Sequence, residues 1–354
     1  MNDRPLETPE AHDDLDGVPP PPATLTLSGH ENEWRELVAA GASGRLHHAW
    51  LFQGPRGIGK ATTAFAFARH LLAGSRPDEP EAAAPVSSPD DATVRQIAFG
   101  THPNLIHIAR PPVEKGTGFR TQITVDEVRK LNRFFHATAS GSNWRIALID
   151  PADDMNRSAA NALLKILEEP PPRSIFLITN HTPGRLLPTI RSRCRLLQFK
   201  PLDEGRLAAT LAHCLPSADA EEIRAAARIA KGSVREAISL IAHGGIEIRN
   251  TLDQLLQADR PDWNAIHSLA DALTLKGRES AYELLVAALL SAIAEASETC
   301  LRAGDGEGAA ALAALWQDET TRLREAAAYN LDRKQALLTL FDGFYHRRAR
   351  HRAA

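Results

Sequence analysis

The sequence predicts an α/β fold with a parallel sheet, followed by an all-α region. Three observations carry this. Short apolar runs alternate with helical stretches up to about residue 200, the pattern of a parallel sheet whose site lies at the carboxyl ends of its strands. A glycine-rich turn, Gly54-Pro55-Arg56-Gly57-Ile58-Gly59-Lys60, joins the first of these runs to the next helix. Beyond residue 202 the strand signal vanishes, and the chain reads as a small helical bundle to about 243 and a longer one from about 248 to 348.

Residues 1–24 combine an acidic cluster with Pro19-Pro20-Pro21-Pro22 and too few apolar groups to offset the entropy of ordering, which predicts a disordered tail. Residues 30–40 place Trp34, Leu37 and Val38 on one helical face, and residues 49–52 (AWLF) are short enough for a buried strand. Residues 61–72 read as a helix, which completes strand, turn and helix in the order a phosphate loop requires. The stretch 74–93 is poor in large apolar side chains and rich in Pro, Ser and Asp, so 74–100 is predicted to be a mobile insertion. Residues 105–108 (LIHI) form the next strand, and Thr124 with Glu127 makes a capping box that opens a helix to about Thr138. Residues 145–150 (RIALID) form a strand closed by an aspartate. Residues 156–169 are helical and stop at Pro170-Pro171-Pro172, whose missing N–H groups forbid continuation. Residues 175–179 (IFLIT) form another buried strand.

A chain of 354 residues is long enough for two or three domains. Hydrophobic content of 43%, 24% charged residues and a net charge of -3 fit a soluble globular protein, without the overall basic excess that would announce nucleic acid, so any DNA contact has to be local. Cys194, Cys214 and Cys300 lie far apart with no C-x-x-C pair and no secretory signal ahead of them, which points to a reducing cytoplasm. The longest apolar runs, such as 284–293 (LLVAALLSAI), span about ten residues against the roughly 20 that a membrane crossing needs.

The candidate chemistry sits in the glycine-rich turn. Backbone N–H groups of residues 57–60 at a helix N-terminus suit an anion, and Lys60 is placed to reach β and γ phosphates. The nucleotide-binding pattern then calls for Ser or Thr, whose hydroxyl reaches Mg²⁺, but Ala61 stands there, and Thr62 points about 100° further round the helix. Asp150, at the end of a buried strand downstream, has the layout of the carboxylate that holds Mg²⁺. A glycine-rich turn of purely structural role, and a strand that merely ends at Asp150-Pro151, are the alternatives.

Several stretches then converge. HHAWLF at 47–52 leading into the loop, NALLKILEEPP at 161–171 and LPTIRSRC at 187–194 resemble the clamp-loader branch of the AAA+ proteins, over roughly residues 28–240. The C-terminal bundle matches only in its helical character. The resemblance implies a RecA-like AAA+ P-loop domain over 25–201, a small helical lid over 202–245 and a C-terminal helical collar over 246–354 that holds a five-subunit ring together. It implies a role in loading the ring-shaped sliding clamp onto primed DNA for the replicative polymerase. The implied partners are the other clamp-loader subunits, namely ATPase subunits and a delta subunit. Polymerase chemistry would belong to that complex, since nothing in the chain encodes it.

The resemblance also assigns residues. Active AAA+ motors follow the metal-holding aspartate with a glutamate that polarises the attacking water. Pro151 stands there, and Asp153 and Asp154 are displaced by three and four positions. Arg193, in Ser192-Arg193-Cys194, matches the arginine finger offered across a subunit interface to a neighbour's γ-phosphate; the alternative is that Arg191, Arg193 and Arg195 form a solvated basic edge. Asn180 falls at the sensor 1 position and Arg235 at sensor 2, with a strand-end turn residue and a helix-surface arginine as nearly equal alternatives. Many relatives carry four zinc-binding cysteines in the segment at 74–100, which here contains none, so tetrahedral four-sulfur zinc is excluded there. His102, His107 and His136 have no ligand spacing. Residues 345–354 (YHRRARHRAA) read as a frayed basic end, with DNA phosphates as the alternative contact.

The expectation is a subunit without its own hydrolytic site that lends Arg193 to a neighbouring ATPase. It requires no cofactor and is compatible with ATP or ADP held at Gly54, Gly57, Gly59 and Lys60 without turnover. The alternatives are an active AAA+ ATPase subunit, either clamp-loader motor or helicase loader, with its own turnover, and a DNA-binding adaptor that keeps the fold but joins no ring.

Overall fold

The computed structural model describes residues 6, 8–44, 46–73, 87–136, 144–258 and 260–352. The chain forms two compact units, residues 1–238 and 239–354.

The first unit is built on a five-stranded sheet. Strands β1 (Ala49–Gln53), β2 (Leu105–Ile108), β3 (Arg145–Ile149), β4 (Ser174–Asn180) and β5 (Arg195–Gln198) run parallel in the order β2-β3-β4-β1-β5. Every residue of β1, β3 and β4 is buried because helices cover both faces, which is why these strands read as unbroken apolar runs. Alternate side chains go to opposite layers. Trp50, Phe52, Ile146 and Leu148 pack with α1 (Glu31–Ala42), α2 (Lys60–Leu72) and α3 (Ala92–Ala98) through Trp34, Leu37, Phe65, Phe67 and Ile97. Ala49, Leu51, Ala147 and Ile149 pack with α4 (Val125–His136), α5 (Arg157–Glu168) and α6 (Pro188–Arg191) through Val128, Leu131, Leu163 and Ile190. The α/β fold class and the four strands expected from the sequence are observed, while β5 was not foreseen: only Leu197 in it is buried.

Two expectations fail in this unit. The described part of residues 1–24 is packed rather than disordered. Its order comes from polar anchors that composition does not reveal. Arg69 on α2 is 4% exposed and donates to the carbonyls of Pro22 at 3.0 Å and Thr24 at 2.7 Å, and Ala23 and Leu27 are buried beside it. Of the insertion at 74–100, residues 74–86 lie outside the described residues, but the rest is not a mobile loop. Asp91 accepts from the N–H groups of Thr93 and Val94 and so caps α3, which buries Val94, Ile97 and Ala98.

Helices α7 (Glu204–Cys214), α8 (Ala220–Ile229) and α9 (Val234–Ala242) cover the segment expected to form a separate lid. The first two, with the start of α9, belong to the first unit, which ends at Ile238. Asp203 and Asp219 cap α7 and α8 through their side chains.

The second unit is helical, as expected: α10 (Gly245–Gln257), α11 (Trp263–Leu273), α12 (Glu279–Arg302), α13 (Gly306–Ala328) and α14 (Arg333–Arg352). Leu252, Ile266, Leu285, Leu289, Ile293, Leu337, Leu340 and Phe341 form its core. Helix α12 is long and apolar enough by length and composition to cross a membrane, yet its Leu285, Leu289 and Ile293 are fully buried in this core. The basic end is not frayed over its described backbone. Helix α14 runs to Arg352, and Tyr345 is buried with its hydroxyl donating to the Leu255 carbonyl.

Candidate functional site

The turn after β1 delivers the loop residues to the carboxyl edge of the sheet. Gly59 caps α2 at φ 102°, a conformation that favours glycine, and Lys60 and Ala61 open the helix. Gly57 has φ 77°, and a Cβ there would lie 2.5 Å from the Arg235 Cβ and 2.6 Å from the Ser233 hydroxyl. Glycine is therefore required both for the turn and for close approach of α9. The contact is sealed by the Arg235 N–H donating to the Gly57 carbonyl at 3.2 Å and the Ser233 hydroxyl donating to the Arg56 carbonyl at 3.2 Å.

Lys60 does not extend into open space. It is 3% exposed, and its Nζ donates to the Gly54 carbonyl at 2.7 Å and to the Pro55 carbonyl. Burial lowers its pKa to about 8, against the pull of the Asp150 and Asp153 carboxylates. Asp150, beyond the end of β3, accepts a hydrogen bond from the Thr179 hydroxyl on the neighbouring strand. Asn180 ends β4 in register with Gln53 at the end of β1. It is fully buried, and its amide accepts from Gln53 Nε2 at 3.3 Å and donates to the Thr182 carbonyl at 3.2 Å. Its backbone carbonyl takes the Gly54 N–H at 3.2 Å.

The two aspartates after Pro151 have structural work. Asp153 accepts from the N–H groups of His181 and Thr182, both at 2.7 Å, and Asp154 takes both ends of the Arg110 fork at 2.5 and 2.6 Å. Ala61 presents only a methyl group to the cavity it lines. At position 61, where the loop pattern calls for a hydroxyl, the helix offers a metal no oxygen, and the loop's lysine donates to its own carbonyls. His12, His107 and His181 surround the site, each with its pKa lowered chiefly by burial. Among the described residues no group of three or more His, Cys, Asp or Glu is disposed to hold a metal ion.

The structure brings Gly54, Gly57, Gly59, Lys60, Ala61, Asp150, Asn180 and Arg235 together, and keeps Arg193 elsewhere. Arg193 lies between α6 and β5, donating to the Thr189 carbonyl at 2.9 Å and to Glu168 Oε1 at 2.7 Å. Glu168 belongs to NALLKILEEPP, so the two most distinctive motifs of the sequence touch through this pair. Arg195, in contrast, is held by Glu36 at 2.7 Å and lies over the Trp50 ring at 4.7 Å from its centroid. Burial pushes the Cys194 thiol up to about 12, so the sulfur beside Arg193 is no nucleophile.

Sequence reasoning missed Asp13. Its Oδ1 lies 3.1 Å from Arg235 Nη2 and also pairs with Arg56, and its carbonyl accepts from Arg235. The acidic cluster was visible, but nothing local says that it folds back onto the loop. Thr179, Gln53 and Glu168 escaped for the same reason, since their roles rest on contacts between residues far apart in the chain.

A parallel sheet with a glycine-rich loop after β1, an aspartate after β3, an asparagine closing β4 and a helical segment seated on the loop define an α/β protein of the P-loop class. A family model described as DNA polymerase III, delta subunit, matches residues 29–203. DNA polymerase III subunit delta' of Escherichia coli is 31% identical over 263 residues, 74% of this chain and 74% of that protein. Its counterpart in Pseudomonas aeruginosa is 36% identical over 219 residues, 61% of this chain and 63% of that protein. DNA polymerase III subunit tau of Escherichia coli is 35% identical over 227 residues, 62% of this chain but 32% of that protein. The chain belongs to the family of DNA polymerase III delta' subunits.

Proposed function

We propose that this protein is a non-hydrolysing subunit of a DNA polymerase III clamp loader, which helps to place a sliding clamp on primed DNA and supplies Arg193 to a neighbouring ATPase subunit. Its partners in this reading are the ATPase and delta subunits of the loader, the clamp, and DNA reached through the complex, all in the cytoplasm. The observation that carries the reading is the state of the loop: Lys60 donates to the Gly54 and Pro55 carbonyls while Ala61 offers the metal nothing. Phosphoryl transfer is catalysed by metal and positioning rather than by covalent chemistry, so losing the metal oxygen and the water-orienting glutamate removes most of what the reaction needs.

Arg193 suits the outward role. Its pair with Glu168 is exposed on both sides, 34% and 50%, and such surface pairs are worth about 0–1 kcal/mol, so release toward a neighbour's phosphate costs little. A guanidinium then offers a planar fork of donors to the charge that develops in the transition state. Asn180 and Arg235, the two sensor positions, have their polar groups committed within this chain, consistent with a site that no longer responds to a γ-phosphate.

The test is reconstitution of Arg193→Ala with partner ATPase subunits and measurement of DNA-stimulated hydrolysis. At the one interface it serves, the rate should fall by about 10³ or more, removing that site's share of the total. Unchanged hydrolysis would sink the assignment of Arg193.

A further inference from the structure

The two guanidinium groups that flank the loop, Arg56 on the turn itself and Arg235 on α9, both end on the same carboxylate. Asp13 lies between them, and Arg235 reaches its backbone carbonyl as well as its side chain. The surrounding segment is shaped for this contact. The Ala11 N–H donates to Asp14 Oδ2 at 2.8 Å and the Asp14 N–H to the Ala11 carbonyl at 3.2 Å, closing a turn with Asp13 at its tip. On one side His12 lies 3.6 Å from Asp154, and downstream the chain is tied by Arg69 at Pro22 and Thr24.

We propose that residues 9–18 form an intramolecular strap that closes the phosphate end of the nucleotide site, with the Asp13 carboxylate standing where a phosphate oxygen of a nucleoside di- or triphosphate would bind. The inference rests on the reading of this loop as a nucleotide site without turnover and adds what keeps nucleotide out. Burial works to raise the Asp13 pKa, yet Arg235 and Arg56 hold it below the ordinary carboxylate range, so the group that meets the arginines is an anion.

Room is not what excludes a nucleotide. A cavity of about 1340 Å³ is lined by the strap together with Arg56, Lys60, Phe65, Asp150 and Arg235. What is already engaged is the set of side-chain cations beside the loop. Arg56 and Arg235 are paired with Asp13, and Lys60 is satisfied by its own loop, so an incoming phosphate has to displace a carboxylate that is already tethered. A short tether gives such a group an effective concentration in the millimolar range, and the apparent affinity of any competitor is reduced by the fraction of time that the strap is open. Because Arg69 fixes residues 22 and 24, opening means swinging the acidic tip away from the loop and leaves the buried Ala23–Leu27 contacts in place.

The experiment titrates the full chain, native and Asp13→Ala, with a fluorescent ATP analogue, and follows hydrogen exchange of residues 9–18 in the same samples. Native protein should bind weakly and the variant about tenfold or more tightly, as expected for loss of charge-assisted hydrogen bonds from a competitor. Residues 9–18 should be protected in the native chain and lose that protection at saturating nucleotide. Equal affinities, binding by neither protein, or binding to the native chain with residues 9–18 still protected would each overturn the strap. Phosphate release assayed alongside separates the two readings: turnover by either protein would end the non-hydrolysing assignment while leaving the competition result to stand alone.

Discussion

Lys60 holds its charge in a place that water barely reaches, with two backbone carbonyls as its hydrogen-bond partners. Burial brings its pKa from 10.5 to about 8 although Asp150 and Asp153 pull the other way. In the unfolded chain the same lysine keeps its proton up to the higher value. Between about pH 8 and pH 10.5 the unfolded state therefore binds more protons than the folded state, and stability rises with pH through that window. Lys60→Met removes the titration. Urea unfolding at pH 7.5 and pH 10 should show the native protein gaining about 2 kcal/mol relative to the variant over that interval. Identical pH slopes would show that the ammonium is solvated as an ordinary surface lysine is.

At the scale of elements, the N-terminal segment depends on one buried arginine. Arg69 is 4% exposed, carries a pKa lowered to about 10 by burial, and spends two donors on the carbonyls of Pro22 and Thr24. Arg69→Ala leaves both carbonyls without their charged donor and opens a cavity beneath the segment, at a cost of about 2–4 kcal/mol. The check is urea unfolding, with limited proteolysis showing faster cleavage within residues 8–28 than in the native chain; an unchanged pattern would mean that Ala23 and Leu27 suffice as anchors. This element also shows where sequence reading stops. β1, β3 and β4 were legible because both faces are buried and each carries a continuous run of four apolar residues, 49–52, 146–149 and 175–178. β5 was not, because its burial rests on Leu197 alone and its register comes from pairing with β1. Residues 1–24 have the composition of a disordered tail, and the described part of them is held by Arg69, Arg56 and Arg235, which lie 45, 43 and 222 residues away along the chain from their partners. The loop glycines, Lys60 and Asp150 were legible because their pattern is local. Asp13 and the Arg193–Glu168 pair were not, because each is made by residues that only the fold brings together.

On the scale of the whole molecule, the proposed lack of turnover rests on several features of the loop and its surroundings. Ala61 removes the metal's oxygen, Pro151 stands where a water-orienting glutamate would be, Lys60 is turned onto its own loop, and Asp13 occupies Arg56 and Arg235. Groups that act together in phosphoryl transfer do not contribute additively, so restoring one of them returns little while the others are missing. Ala61→Thr rebuilds the hydroxyl that the loop pattern calls for without touching the strap, the lysine or residue 151. The purified Ala61→Thr chain should release phosphate from Mg²⁺–ATP no faster than the native chain, and both should match a buffer control in a phosphate-release assay. Turnover from the single variant would show that the metal ligand alone was limiting and that Lys60 and Arg235 are free to serve a bound nucleotide, contrary to the contacts that hold them here.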